Sequence, residues 1–434
     1  MIVMKFGGTS IGSARRIRDV VGIIRLRLAS GPIIVVSALG GVTDSLIQLG
    51  KVSATQLDSS HMLEQIIKRH YDIVKELGLD SRIISSETDQ LRKLVEDIFM
   101  LKELTPRYLD MIMSFGERMS ARIVAAYMRK SGISGQAYDS YDIGMLTTPN
   151  FGDADILPDT YEEIRKHISS RNGIIPVITG FIGKSREGEI TTLGRGGSDY
   201  TASIIGAALG SEEIQIWTDV NGIMTADPKI VKAARSIDRV SYKEAAELAM
   251  LGAKVLHPKT ILPAVENSIP VRILNTFNPE QKGTLVLGNS IGSKVTSITY
   301  KKHVMAISIT ATGKNKPENF IESVLGAFDA RGIEVDLVSD SKIGVSVIID
   351  EKDESAGLIE DLKKMGNVKY ERNKARVSLV GSDLSDIIDA MYSSLKSIRV
   401  EMMAPDASGK NKSMVMSERY ADRAMNRLHT AFFS

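Results

Sequence analysis

Two short stretches carry residue types that could do chemistry together. Leu193-Gly194-Arg195-Gly196-Gly197-Ser198-Asp199-Tyr200 sets one guanidinium and one carboxylate in a glycine cluster, and Lys5-Phe6-Gly7-Gly8-Thr9-Ser10 sets an ammonium before a glycine pair. Glycines without Cβ let backbone N–H groups turn inward and approach an anion closely. Arg195 adds a planar fork suited to a carboxylate or phosphate, and a helix starting just after it adds its positive end. Either cluster alone reads equally as a tight turn or a surface lysine. Two of them, each at the end of an apolar run, suit the movement of a phosphoryl group, which needs positioning and charge neutralisation more than covalent chemistry. Lys5 would bridge donor and acceptor oxygens as charge migrates, with Asp199 holding it protonated and oriented.

Competing motifs fail on spacing. Gly180-Phe181-Ile182-Gly183-Lys184-Ser185 has two residues between its glycines where a P-loop needs four. Gly194-x-Gly196 lacks the third glycine of a dinucleotide fingerprint, and the HRD and DFG loops of protein kinases are missing. No histidine pair has zinc spacing, so no protein-held metal is expected. Glu117 and Arg118, read at a helix start, are by themselves capping or solvated charge. His257 before Pro258 reads as structural, and Trp217 as core.

The elements that must position these clusters follow from the apolar pattern. Met1 to Phe6 is a buried strand, Ala14 to about Leu28 a helix capped by Ser13, and Pro32 to Ser37 a second buried strand. Strand, glycine turn, helix and strand are the signature of a parallel α/β sheet, whose ligands sit beyond the carboxyl ends of the strands. Gly7, Gly8, Ser37 and Thr43 fall there. Residues 45 to 131 are helix-rich, with Ser114 to Ser120 (SFGERMS) opening a helix to Lys130. Strand-like pieces follow near 135–142 and 173–182, then a helix from Thr201 to Leu209 and a strand from Glu213 to Asp219. From about Lys294 a βαββα order appears and then recurs: Ile333, Val335 and Leu337 match Ile398, Val400 and Met402, and Val347 matches Val415. The division expected is 1–293 for the α/β sandwich and two small α+β ferredoxin-like modules, 294–370 and 371–434.

The chain has 434 residues, more than one ordinary core supports. Apolar content of 43% and charged content of 25% are those of a globular domain set, and a net charge of +2 gives no footprint for nucleic acid. The absence of cysteine removes disulfides, thiolate metal sites and cysteine nucleophiles, and suits a reducing compartment. With no signal-peptide pattern at the start and no long apolar run, a cytoplasmic chain free of membrane contact is expected.

Taken together, KFGGTS, SFGERMS, TTLGRGGSDYTA, WTDVNGI, TADPK and GAKVLHPKT resemble the aspartate kinases (aspartokinases), a branch of the amino acid kinase family. They stand in family order over residues 1 to about 290, and the two modules after them resemble that family's ACT domains. The resemblance implies phosphorylation of the β-carboxylate of L-aspartate by ATP, with Mg2+ carried by the nucleotide. It implies catalytic roles for Lys5 and Asp199, and aspartate contacts from Thr43, Glu117, Arg195, Gly196, Gly197 and Ser198. It implies nucleotide contacts from Lys5, Phe6, Gly7, Gly8, Thr218, Asp219, Met224, Lys229, Lys254 and Val255. A homodimer through the ACT-like modules is implied, their edge strands being open to pairing. Met224 stands where the family commonly has tyrosine, and Lys229 where it has arginine. The stretches Thr310 to Phe320 (TATGKNKPENF) and Val380 to Asp386 (VGSDLSD) are unlike the family's effector loops, so weak or absent feedback by lysine or threonine is expected.

Overall fold

The computed structural model describes residues 1–169, 173–252, 256–288, 294–312, 319–405 and 409–434. It divides into two compact units. The first is Met1–Ile223 with Asp238–Tyr242 and Val255–Asn289; the second is Met224–Ile237, Lys243–Lys254 and Ser290–Ser434.

In the first unit an eight-stranded sheet runs in the order Gly135–Tyr138, Ile175–Thr179, Pro32–Val36, Ile2–Phe6, Glu213–Thr218, Val271–Asn275, Thr284–Leu287, Arg239–Ser241. The first six strands are mutually parallel, and only the Val271–Asn275 to Thr284–Leu287 pair is antiparallel. Every residue of Ile2–Phe6 and Pro32–Val36 is buried, as a parallel sheet covered on both faces requires. The chain leaves Ile2–Phe6 for Pro32–Val36 on one side and returns with Glu213–Thr218 on the other, which makes the carboxyl end of Ile2–Phe6 a switch point. A small sheet of Leu146–Thr147, Ile182–Ser185 and Ile190–Thr192 stands beside it.

The elements differ from the sequence expectation in informative ways. The first helix is Ala14–Arg25, with Ser13 Oγ accepting from Arg16 N, and Leu28 falls beyond it in an exposed turn. SFGERMS does not open a helix. It lies in the middle of Pro106–Lys130, which starts at Thr105 as N-cap with Pro106 in its first turn. The strand expected over 173–182 breaks at Gly180-Phe181, where Phe181 has φ +69°, and its two parts serve different sheets. The helix after the central cluster begins earlier than expected, at Gly197, so Gly196 is its N-cap and Gly197 to Asp199 its first turn.

In the second unit a six-stranded antiparallel sheet has the order Leu337–Asp340, Gly344–Asp350, Ser297–Ala311, Gly366–Val380, Asn411–Ser417, Val400–Pro405. Its two central strands are long. Val304 to Ala311 pairs with Gly344–Asp350 and with the first part of Gly366–Val380, whereas Ser297 to Lys301 pairs with Arg376 to Val380. Val295 and Ile298 pack with Val377, Leu379, Met414 and Leu428, so the residues leading into the first repeat finish the core of the second. A division in chain order at residue 371 therefore cuts across strand pairing. Among the described residues no helix is long and apolar enough to cross a membrane.

Candidate active site

A cavity of about 460 Å³ opens at the carboxyl ends of the first two strands. Lys5, Ser37, Thr43, Glu117, Arg195 and the Gly196-Gly197-Ser198-Asp199 turn all line it. Residues 5 and 195 thus face one space, although nearly half the chain separates them. Lys5 Nζ stands 2.5 Å from Asp199 Oδ1, with both side chains largely buried. Lys5 is carried by a sheet strand and Asp199 by the first turn of Gly197–Leu209, so the pair bridges the two glycine clusters.

Both clusters need their glycines. A Cβ on Gly8 would lie 2.6 Å from Ala38 O and 3.0 Å from Gly40 N, because the turns after the two strands touch through their backbones. The contact is closed by Gly40 N donating to Gly8 O at 3.0 Å. Gly196 has φ +73°, and a Cβ there would come 2.7 Å from Thr260 Cγ2. It ends the turn that exposes Arg195 and caps the start of Gly197–Leu209. Among the described residues Arg195 makes no ion pair, leaving its fork available to a ligand.

Glu117 is 3% exposed on the interior of Pro106–Lys130. Its Oε1 accepts from Ala38 N at 3.0 Å, while Oε2 meets no donor among the described residues. Burial pushes its carboxyl up to about 8, against the pull of the Ala38 N–H. With one oxygen unmet, such a carboxyl has room to accept a further donor. Arg118 beside it is not solvated charge. It is buried, 3.4 Å from Asp139 and hydrogen-bonded to Gln90 Oε1, and Asp139 is itself held by both terminal nitrogens of Arg122.

The expected nucleotide contacts are more dispersed. The Phe6 side chain is core, stacked on Trp217 with centroids 5.8 Å apart, so only its main chain is available. Gly7 and Gly8 lie at the same strand end, with Gly7 N donating to Trp217 O. Thr218 and Asp219 end the neighbouring strand and bond to each other at 3.2 Å. Met224 and Lys229 belong to the second unit, where Ser236 Oγ lies 3.4 Å from Met224 Sδ and Lys229 N donates to Asp227. Lys254 and Val255 lie outside the described residues.

Sequence reasoning missed several residues at the cavity. Met113, Gly152, Phe181 and Thr192 line it. Asp110, fully buried behind it, accepts from Thr192 and Gly152. Burial raises the Asp110 carboxyl, against three hydrogen bonds that lower it. Asp110, Met113 and Glu117 stand at i, i+3 and i+7 on one helix face. Thr105-Pro106 was the signal that could have shown the stripe, since it marks where the helix starts.

A parallel sheet with a cation–carboxylate pair between two anion-cradling turns defines a phosphoryl-transfer fold. Residues 1–275 match the model of the amino acid kinase family. An aspartokinase 2 from Arabidopsis thaliana, a chloroplastic protein, is 38% identical over 99% of this chain and 84% of its own length. The lysine-sensitive aspartokinase 3 of Escherichia coli is 30% identical over 100% and 99%. Crystal structures of E. coli aspartokinase III with lysine and aspartate, and with aspartate and ADP, superpose with TM-scores of 0.86 and 0.80 at 28% identity, each covering all of both chains. The chain belongs to the amino acid kinase family and, within it, to the aspartokinases.

Proposed function

We propose that this chain transfers the γ-phosphoryl group of MgATP to the β-carboxylate of L-aspartate, giving 4-phospho-L-aspartate and ADP. The observation that carries the reading is the Lys5–Asp199 ion pair, set in the same cavity as Glu117 and Arg195. A β-carboxylate oxygen attacks phosphorus, the bond to the bridging oxygen of ADP breaks, and no proton need move. Lys5 then neutralises the oxygens between which the phosphoryl group passes, and Asp199 fixes its ammonium in line. Glu117 receives the ammonium of aspartate, and Arg195 its α-carboxylate. Thr43 and the Gly196–Ser198 turn complete that end.

The glycine cradle at Gly7-Gly8, where a side chain would strike backbone, suits nucleotide phosphates. Thr218 and Asp219, at the end of the neighbouring strand, supply more of the nucleotide site in this reading. Magnesium neutralises phosphate charge when it arrives with ATP; among the described residues no group of three acidic or histidine side chains is placed to hold it alone.

Hydroxylamine trapping of the acyl phosphate, with ATP and L-aspartate supplied, tests the reaction. Lys5→Ala should lower kcat by about a thousandfold, as loss of a transition-state charge contact does, with aspartate still bound. Turnover at the wild-type rate would refute the role of Lys5. The reading also includes a homodimer through the six-stranded sheet, whose Leu337–Asp340 edge exposes Val338. Light scattering should give a dimer for the wild type and a monomer for Val338→Lys, since a charge on an edge strand opposes pairing. Lysine and threonine should inhibit weakly or not at all. The support is the unusual sequence at Thr310 to Phe320, of which 313–318 lie outside the described residues.

A further inference from the structure

We infer that Asp110 is a positioning residue for the acceptor, holding the strand that leads to Arg195 against the helix that carries Glu117. The inference rests on the reading of Arg195 and Glu117 as the two grips on aspartate. Asp110 Oδ2 accepts from Thr192 N at 2.8 Å and from Gly152 N at 3.0 Å, and Oδ1 accepts from Thr192 Oγ1 at 2.9 Å. All three donors sit on segments that line the cavity, and Asp110 is fully buried behind them.

Thr192 is the last residue of Ile190–Thr192, three positions before Arg195. Gly152 precedes Asp153, whose Oδ1 would lie 2.4 Å from a Cβ on Gly194. The carboxylate therefore ties the Arg195 turn on both sides, through its own strand and through the loop packed on Gly194. Glu117 stands two helical turns further along the same face of Pro106–Lys130. One helix thus fixes both ends of the acceptor site, receiving the ammonium directly and setting the guanidinium through Asp110. An acceptor gripped at two ends is sensitive to that separation, and a misplacement of about an ångström is enough to weaken a productive complex. Removing the carboxylate strands the buried Thr192 N–H, which is satisfied only if its strand shifts, and frees the exposed Gly152 loop from the helix.

The test is steady-state kinetics on the full chain, varying aspartate and ATP separately. Asp110→Ala should raise the aspartate KM about tenfold or more while the ATP KM stays within about twofold. Asp110→Asn should fall between wild type and Asp110→Ala, because the amide oxygen can still accept both N–H groups and the amide nitrogen can donate to the Thr192 hydroxyl. An aspartate KM within about twofold of wild type in Asp110→Ala, or an ATP KM that rises in step, would overturn the inference. Should Asp110→Ala fail to fold, the isosteric Asp110→Asn decides: a rise of about threefold in aspartate KM alone supports it, and no rise defeats it. Arg195→Ala separates the layers. If it leaves the aspartate KM unchanged, the acceptor assignment itself fails; if it raises that KM while Asp110→Ala does not, only the present inference fails.

Discussion

Glu117 holds the sharpest conflict between solvation and function. Its carboxyl is driven from an ordinary 4.5 to about 8 because it is enclosed with one oxygen unmet. In the unliganded protein it is therefore largely protonated at neutral pH, and binding an ammonium must expel that proton. Aspartate affinity should then rise with pH: between pH 6 and 8 its KM should fall by about tenfold or more, flattening above 8. Stability carries the opposite sign. A carboxyl that is harder to ionise folded than unfolded favours the folded state fully below pH 4.5, and that contribution is lost as pH rises through about 8. Glu117→Gln, neutral at every pH, should abolish both slopes while raising the aspartate KM. Melting curves of the two proteins at pH 5 and 8 check the second slope. Equal pH dependence in the variant would show that another group titrates.

At the level of elements, the site is made by turns that pack backbone on backbone. Gly8→Ala would drive a methyl into Ala38 O and Gly40 N, so the turns after the first two strands must part. Destabilisation of about 1–3 kcal/mol is expected, with the KM of both substrates raised. Gly41→Ala is the control. It has φ +80° but nothing within 4 Å, so it should cost about 1 kcal/mol of backbone strain and leave the Lys5 turn in place. Urea titration with parallel kinetics distinguishes the two. Sequence pattern reached this far because glycine clusters, buried strands and the Ser13 cap are local signals. It singled out Lys5, Asp199 and Arg195 and put Thr43 at the strand ends, whereas Glu117 was picked out only by the family resemblance; all five line the cavity. It read Ser114 as a helix start because a small polar residue before an apolar run imitates a cap, and so Asp110 was passed over. Gly180-Phe181 escaped for another reason. A positive φ at phenylalanine is held by tertiary contacts, among them Phe181 N donating to Thr201 Oγ1 at 3.0 Å. Nothing in local sequence announces such a break.

For the molecule as a whole, the repeat after residue 294 was legible as element order, but its wiring was not. Alternation placed strands at 304–310 and 376–380 and left Ser297 to Lys301 unassigned, since a strand that pairs about 80 residues away leaves no local trace. Ile298 is 1% exposed and belongs to the core built mostly from residues 375 to 428, with Ala226, Val231 and Val295. Ile298→Asp should therefore cost about 3–5 kcal/mol, through a lost apolar contact and a buried charge. Its damage should appear in that core. Hydrogen exchange should speed up in Asn411–Ser417 and Ala421–Phe433 and stay slow in Phe320–Asp329. Uniform loss of protection across both repeats would argue that the sheet melts as one unit.

The same pairing has a bearing on synthesis. Ser297 to Lys301 leave the ribosome after Met224 and Thr225, whose carbonyls accept from Ser297 Oγ and Ile298 N, but ahead of their strand partners, and Arg376 to Val380 follow only after the first repeat has been translated. At roughly 5–20 residues per second that is a wait on the order of ten seconds, with the strand's ladder partner not yet made. A nascent chain arrested before Arg376 to Val380 have emerged would keep that ladder open along Ser297 to Lys301, and there a chaperone would find its grip.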